Sequence, residues 1–101
     1  MKTDKLLSME VLAERVRPVV AKYNIDEIYL FGSYARGEAT EDSDLDFLVF
    51  GGASFKRTMI FAVAEELRKT LDKDVDVFEI SEINQDSSFY RAIMEERVLV
   101  A

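Results

Sequence analysis

Gly32-Ser33-Tyr34-Ala35-Arg36-Gly37-Glu38-Ala39-Thr40-Glu41-Asp42-Ser43-Asp44-Leu45-Asp46 is the stretch on which the reading of this chain turns. It opens directly after Ile28-Tyr29-Leu30-Phe31, a short apolar run that suits a buried strand ending at Gly32. It closes into Phe47-Leu48-Val49-Phe50, which stops at the breaker Gly51-Gly52, so a second strand is expected over Asp44 to Phe50. Residues two apart on a strand face the same way, which puts the Asp44 and Asp46 carboxylates side by side, about 6–7 Å apart from the strand rise. Two acids at the edge of an apolar core repel one another and resist desolvation. A divalent cation, or a pair of them about 3.5–4 Å apart, removes that cost and creates a site for phosphoryl or nucleotidyl transfer.

The charge of the chain is concentrated in the same place. Its 101 residues hold 20 Asp and Glu against 13 Lys and Arg, a formal charge of −7. Between Gly37 and Phe55 stand Glu38, Glu41, Asp42, Asp44 and Asp46 and no base, which accounts for five of the seven. Glu38, Glu41 and Asp42 are expected as a solvated loop face. An acidic chain without clustered Lys and Arg is unsuited to broad nucleic-acid binding. There is no His and no Cys, which excludes Ser-His-Asp and Cys-His nucleophile systems, thiol redox chemistry, and zinc held by imidazole or thiolate. A general base must then be a carboxylate, or a lysine or tyrosine with a shifted pKa, and a metal must be a hard one such as Mg²⁺ or Mn²⁺ on oxygen ligands.

The rest of the chain supplies a frame. At this length one domain, residues 1–101, is expected, with a core that needs no disulfide or structural zinc. Met9, Leu12, Val16, Val19 and Tyr23 recur at helical spacing, predicting a helix from Ser8, its N-cap, to Tyr23. Pro18 lies inside it and removes the hydrogen bond to the Glu14 carbonyl, so a kink or break is expected there. Ser33 to Gly37 suits a turn or the start of a short helix. Phe55, Met59, Val63, Leu67 and Leu71 predict a second long helix capped by Ser54, followed by a strand over Val75 to Ile80, a helix over Ser87 to Glu96 and a last strand Val98-Leu99-Val100. This alternation predicts an α/β (α+β) fold, helices packed on a mixed sheet. Met1-Lys2-Thr3-Asp4-Lys5 lacks the apolar run of a signal peptide or membrane span, so no membrane association and a cytoplasmic location are expected.

Two further features bear on chemistry. Gly32-Ser33 directly after a strand can hold phosphate oxygens on backbone N–H groups and the Ser33 hydroxyl, with Gly32 allowing close approach. Taken alone, a Gly-Ser there is more often only a turn. Asp74 and Asp76 form a second strand-spaced pair, of which Asp76, between Val75 and Val77, is the better third ligand or general base.

Gly32-Ser33, ten residues, then Asp44-Leu45-Asp46, with Ala35-Arg36-Gly37 between and an apolar-flanked Asp76 later, resembles the nucleotidyltransferase superfamily with the DNA polymerase β-like fold. The resemblance runs from about Leu12 to Val100. It is strongest to the minimal nucleotidyltransferases (MNT), the antitoxins paired with HEPN-domain ribonuclease toxins. It implies that Asp44 and Asp46 bind metal, and that Asp76 is the third carboxylate, helping to bind the catalytic metal and activating the attacking hydroxyl. It implies too that Gly32 and Ser33 hold the nucleotide triphosphate, and that Arg36 serves either phosphate or a structural ion pair. The implied reaction moves AMP from ATP to a tyrosine hydroxyl of a HEPN toxin with two Mg²⁺, Mn²⁺ being the alternative ion, and pyrophosphate leaves. Rival readings are an aminoglycoside-type nucleotidyltransferase, whose usual extra helical domain has no room here, and an antitoxin that acts by binding alone. Assembly with itself or with its partner is compatible with both.

Overall fold

Alternation within the strands decides which elements pack where. The computed structural model describes residues 6–101, so the charged Met1–Lys5 opening lies outside them. The elements follow in the order α1 (Met9–Lys22), β1 (Glu27–Phe31), β2 (Leu45–Phe50), α2 (Ile60–Leu71), β3 (Val75–Glu79), α3 (Ser88–Glu96) and β4 (Val98–Leu99). The sheet order is β3-β2-β1-β4; β1 runs antiparallel to β2 and β4, while β2 and β3 are parallel. A parallel pair requires a crossover, and α2 supplies it. The expected mixed sheet with helices packed on it is what forms.

On one side of the sheet, Ile28 and Leu30 of β1, Leu45, Phe47 and Val49 of β2, and Val75 of β3 meet Leu12, Val16 and Val19 of α1 and Val63, Leu67 and Leu71 of α2 in one apolar cluster. Each fully buried aliphatic side chain contributes roughly 1.5–3 kcal/mol by leaving water. The alternate residues face the other way. There Phe31 and Leu48 join Ile93 of α3 in a smaller cluster edged by Tyr29, Phe50, Phe78 and Met94. Asp46 and Asp76 belong by alternation to this second face.

Local signals account for most element ends. The Ser8 side chain accepts from the Val11 N–H at 3.2 Å, and Ser87 accepts from the Tyr90 N–H at 3.1 Å, each capping its helix. Three expectations need correction. Of the kink or break expected at Pro18, the break does not occur, since α1 runs unbroken from Met9 to Lys22; Pro18 lies on the exposed side, where water can serve the Glu14 carbonyl. Ser54 caps nothing, because the chain after Gly51-Gly52 tucks the Phe55 ring into the core and makes a short 3-10 turn, Arg57–Met59, before α2 begins at Ile60. The buried face of α2 is therefore Ile60, Val63, Ala64, Leu67 and Leu71, and Met59 is exposed. Finally, β2 starts at Leu45, which leaves Asp44 just ahead of the strand.

Candidate active site

The site forms where three strands present their second-face residues beside one turn. In the β1–β2 pair Phe31 stands opposite Asp46, and in the parallel β2–β3 pair Asp46 stands opposite Asp76. The register thus sets Asp46 between an aromatic residue and a second carboxylate. Leu45 and Phe47, fully buried on either side, fix the strand and so fix which way Asp46 faces.

The turn after β1 completes the corner. The Arg36 N–H donates to the Gly32 carbonyl at 3.0 Å and the Glu38 N–H to the Ser33 carbonyl at 2.9 Å, a single helical turn closed by Gly37 at φ +73°. Of the two alternatives for Ser33 to Gly37, a turn forms. Gly32 has φ +75°, and a Cβ there would lie 2.3 Å from Oδ2 of Asp46. Only glycine lets the turn come this close to the carboxylate.

Arg36 is committed to two acids. Its Nε donates to Glu38 Oε1 at 2.7 Å and its Nη1 to Glu96 Oε2 at 3.2 Å. Glu96, the last residue of α3, also accepts the Gly32 N–H at 3.0 Å. Helix α3 thereby forms one wall of a cleft of about 580 Å³ whose polar lining is Gly32, Ser33, Arg36, Asp46, Asp76 and Glu96. Phe31, Phe78 and Phe89 add an aromatic cluster to the lining, their ring centroids 5.7 to 6.0 Å apart. Phe89 stays 45% exposed, so the aromatic surface is open to a ligand.

Burial first, then the neighbouring Asp76 and Asp44, push the Asp46 carboxyl from 3.8 up to about 6, against the pull of Arg36. The like charges that the sequence places together are therefore felt at Asp46. Asp44 is exposed and outside the cleft lining, and Asp76 is exposed at the rim. Asp74 is exposed as well. The donor set is all oxygen, which suits a hard cation. Among the described residues no three acids converge as a finished cage. Mg²⁺ ordinarily takes one or two carboxylates together with substrate phosphate oxygens, a demand that Asp46 and its neighbours fit.

Of the six residues singled out in the sequence, five line one cleft and Asp44 flanks it. Glu96 was missed. It lies 64 positions from its partner Gly32, and nothing in its local sequence marks it.

Similarity to known proteins agrees with this geometry. Residues 14–101 match the family described as "Polymerase beta, Nucleotidyltransferase". A protein of Methanocaldococcus jannaschii that bears the name "Putative protein adenylyltransferase" is 35% identical over 95 residues, 89% of this chain and 95% of that one. A solved structure named as a "putative minimal nucleotidyltransferase" superposes with a TM-score of 0.74 at 27% identity, over 91% of this chain and 95% of the other. The MNT antitoxin of Shewanella oneidensis, solved in complex with a tri-AMPylated HEPN toxin, shares the fold at a TM-score of 0.70 and 18% identity, over 93% of this chain and 72% of that one. With the family match spanning nearly all of its length and the Gly32-Ser33 turn set against Asp46 and Asp76, this chain belongs to the polymerase β-type nucleotidyltransferase family.

Proposed function

We propose that this chain transfers AMP from ATP to a tyrosine hydroxyl of a HEPN-type ribonuclease and thereby acts as its antitoxin. The observation that carries the reading is Asp46, held by register beside Asp76 and under the Gly32 turn, in a cleft that also presents an aromatic cluster. The names of the Methanocaldococcus relative and of the Shewanella complex support the choice of AMP and of a protein acceptor.

In this reading Asp46 and Asp44, with Asp76, hold Mg²⁺. The ion supplies neutralisation of phosphate charge and alignment of attacking and leaving oxygens. Gly32 and Ser33 receive the phosphate chain. Asp76, exposed at the rim, reaches an acceptor that arrives from outside and takes the proton of its hydroxyl. The acceptor oxygen bonds to the α-phosphorus, the bond from that phosphorus to the bridging oxygen of the β-phosphate breaks, and pyrophosphate departs with the electron pair. The Asp46 carboxyl, raised to about 6 by burial and then by its acidic neighbours, is still mostly ionised near neutral pH and so available to a cation there.

The test uses ATP labelled on its α-phosphate, Mg²⁺ and a HEPN-type protein encoded beside this chain. Label is expected on a partner tyrosine, lost on chelation and lost with Asp46→Asn. A folded protein that labels no partner, or an Asp46→Asn variant that labels as well as the parent, contradicts the proposal.

A further inference from the structure

Glu96 is the one acid of the cleft for which the proposed chemistry has no use. Its carboxylate takes the Gly32 N–H at 3.0 Å and the Arg36 guanidinium at 3.2 Å through Oε2 and 3.5 Å through Oε1. Those donors belong to the turn that a triphosphate would have to approach. A carboxylate and a phosphate compete for them on equal chemical terms, since both are oxygen anions that pair with N–H groups and with guanidinium.

The placement of Glu96 is not explained by its helix. It is the last residue of α3, preceded by Glu95 and with no base in the last turn. A helix C-terminus carries partial negative charge, so acids there are unfavourable. Glu96 also faces Asp46, whose carboxyl it helps to push up. What offsets these costs is the pairing with the Gly32 turn and Arg36. The Glu96 side chain is 22% exposed and that of Arg36 is 46% exposed, so the pair can part by side-chain rotation without unfolding α3.

We infer that Glu96 is an internal stand-in for the phosphate: it fills the donors of the Gly32 turn in the nucleotide-free protein, and a nucleoside triphosphate binds by displacing it. The inference rests on the reading of the cleft as a nucleotide site. A ligand that must wait for a minor, open state binds more weakly by the fraction of time that state is populated. Removing the competitor therefore tightens binding of any polyphosphate, with or without a base.

The experiment measures calorimetric binding of tripolyphosphate and of a non-hydrolysable ATP analogue, each with Mg²⁺, to the parent chain, Glu96→Gln and Glu96→Ala. Glu96→Gln keeps the shape and an acceptor for the Gly32 N–H, which guards against loss of fold in the alanine variant. Both variants are expected to bind both probes about tenfold more tightly than the parent. In the parent, the Glu96 side-chain carboxyl and Gly32 amide resonances are expected to shift together on saturation. If the parent binds and both variants bind no better or more weakly, Glu96 is an anchor or a ligand and the inference fails, while the proposed function stands. If folded parent and variants all bind neither probe, both the inference and the proposed function fail.

Discussion

The two faces of this sheet are made by the same strands and have opposite characters. Toward α1 and α2, Leu45, Phe47, Val49 and Val75 find apolar partners on two helices and are fully or nearly fully buried. Toward α3, the intervening positions are Asp46, Leu48, Phe50, Asp76 and Phe78, and a nine-residue helix leaves an open cleft over part of them. The closed face can hold the strands rigid because it is sealed. That rigidity is what allows Asp46 to be kept half-buried and out of its ordinary protonation range on the open face. The lesson is a division of labour by alternate residues, with stability on one side and charge on the other.

That division is exposed to test by changing one residue on each side. The largest expected effect belongs to the open face: Asp46→Asn lowers transfer of labelled AMP by at least about a hundredfold, with a far-UV circular dichroism spectrum unchanged. On the closed face, Leu67→Ala removes a fully buried side chain from α2 and should lower unfolding free energy by about 2–5 kcal/mol in urea titration. Transfer activity of the fraction still folded should remain near the parent's. A Leu67→Ala variant that kept its stability and lost activity would reverse the assignment of the faces.

Gly32→Ala probes the seam between them. The added Cβ meets Asp46 at 2.3 Å and must adopt φ +75°, so a loss of about 1–3 kcal/mol in stability should accompany loss of nucleotide binding. A variant that binds ATP normally would show that the turn does not need its close approach.

The smallest effect concerns pH. Asp46 titrates at about 6 in the folded chain and at 3.8 ordinarily. A folded-state pKa raised above the unfolded one gives stability that is full below about pH 4 and lost as pH rises to about 6. Relative to Asp46→Asn, the metal-free parent should therefore lose stability across that window and no further above it. Allowing for solvent at this half-buried carboxyl, the difference should reach about 1 kcal/mol by urea unfolding in chelator. A difference that grows instead as the pH falls from 6 to 4 would mean that Asp46 is stabilised as the anion.

How much of this was legible in the sequence follows from the range of each signal. The Gly32-to-Asp46 segment, the Ser8 cap, the start of the last helix at Ser87 and the apolar runs of β1 and β2 are local, and each is found within a residue or so of where its residues place it. Asp46 and Asp76 are far apart in the chain: alternation and apolar flanks marked each as a candidate, but only the family resemblance implied that they act together, and their side-by-side placement follows from the β2–β3 register. Ser54 misled because a cap residue followed by a helical period is indistinguishable in sequence from a loop that folds back to bury Phe55. The role of α3 as a wall was not legible. Its contribution at Gly32 depends on a tertiary approach, and an acid near a helix end looks like any solvated glutamate.

The most direct test of the account maps a bound nucleotide on the folded chain by amide resonances, adding ATP analogue and Mg²⁺ to the parent and to Asp46→Asn. The account predicts shifts centred on Gly32, Ser33, Arg36, Asp46, Asp76 and Glu96, silence along the buried face of α1 and α2, and loss of the response in Asp46→Asn. Shifts centred away from the α3 face, or an undiminished response in Asp46→Asn, would contradict it.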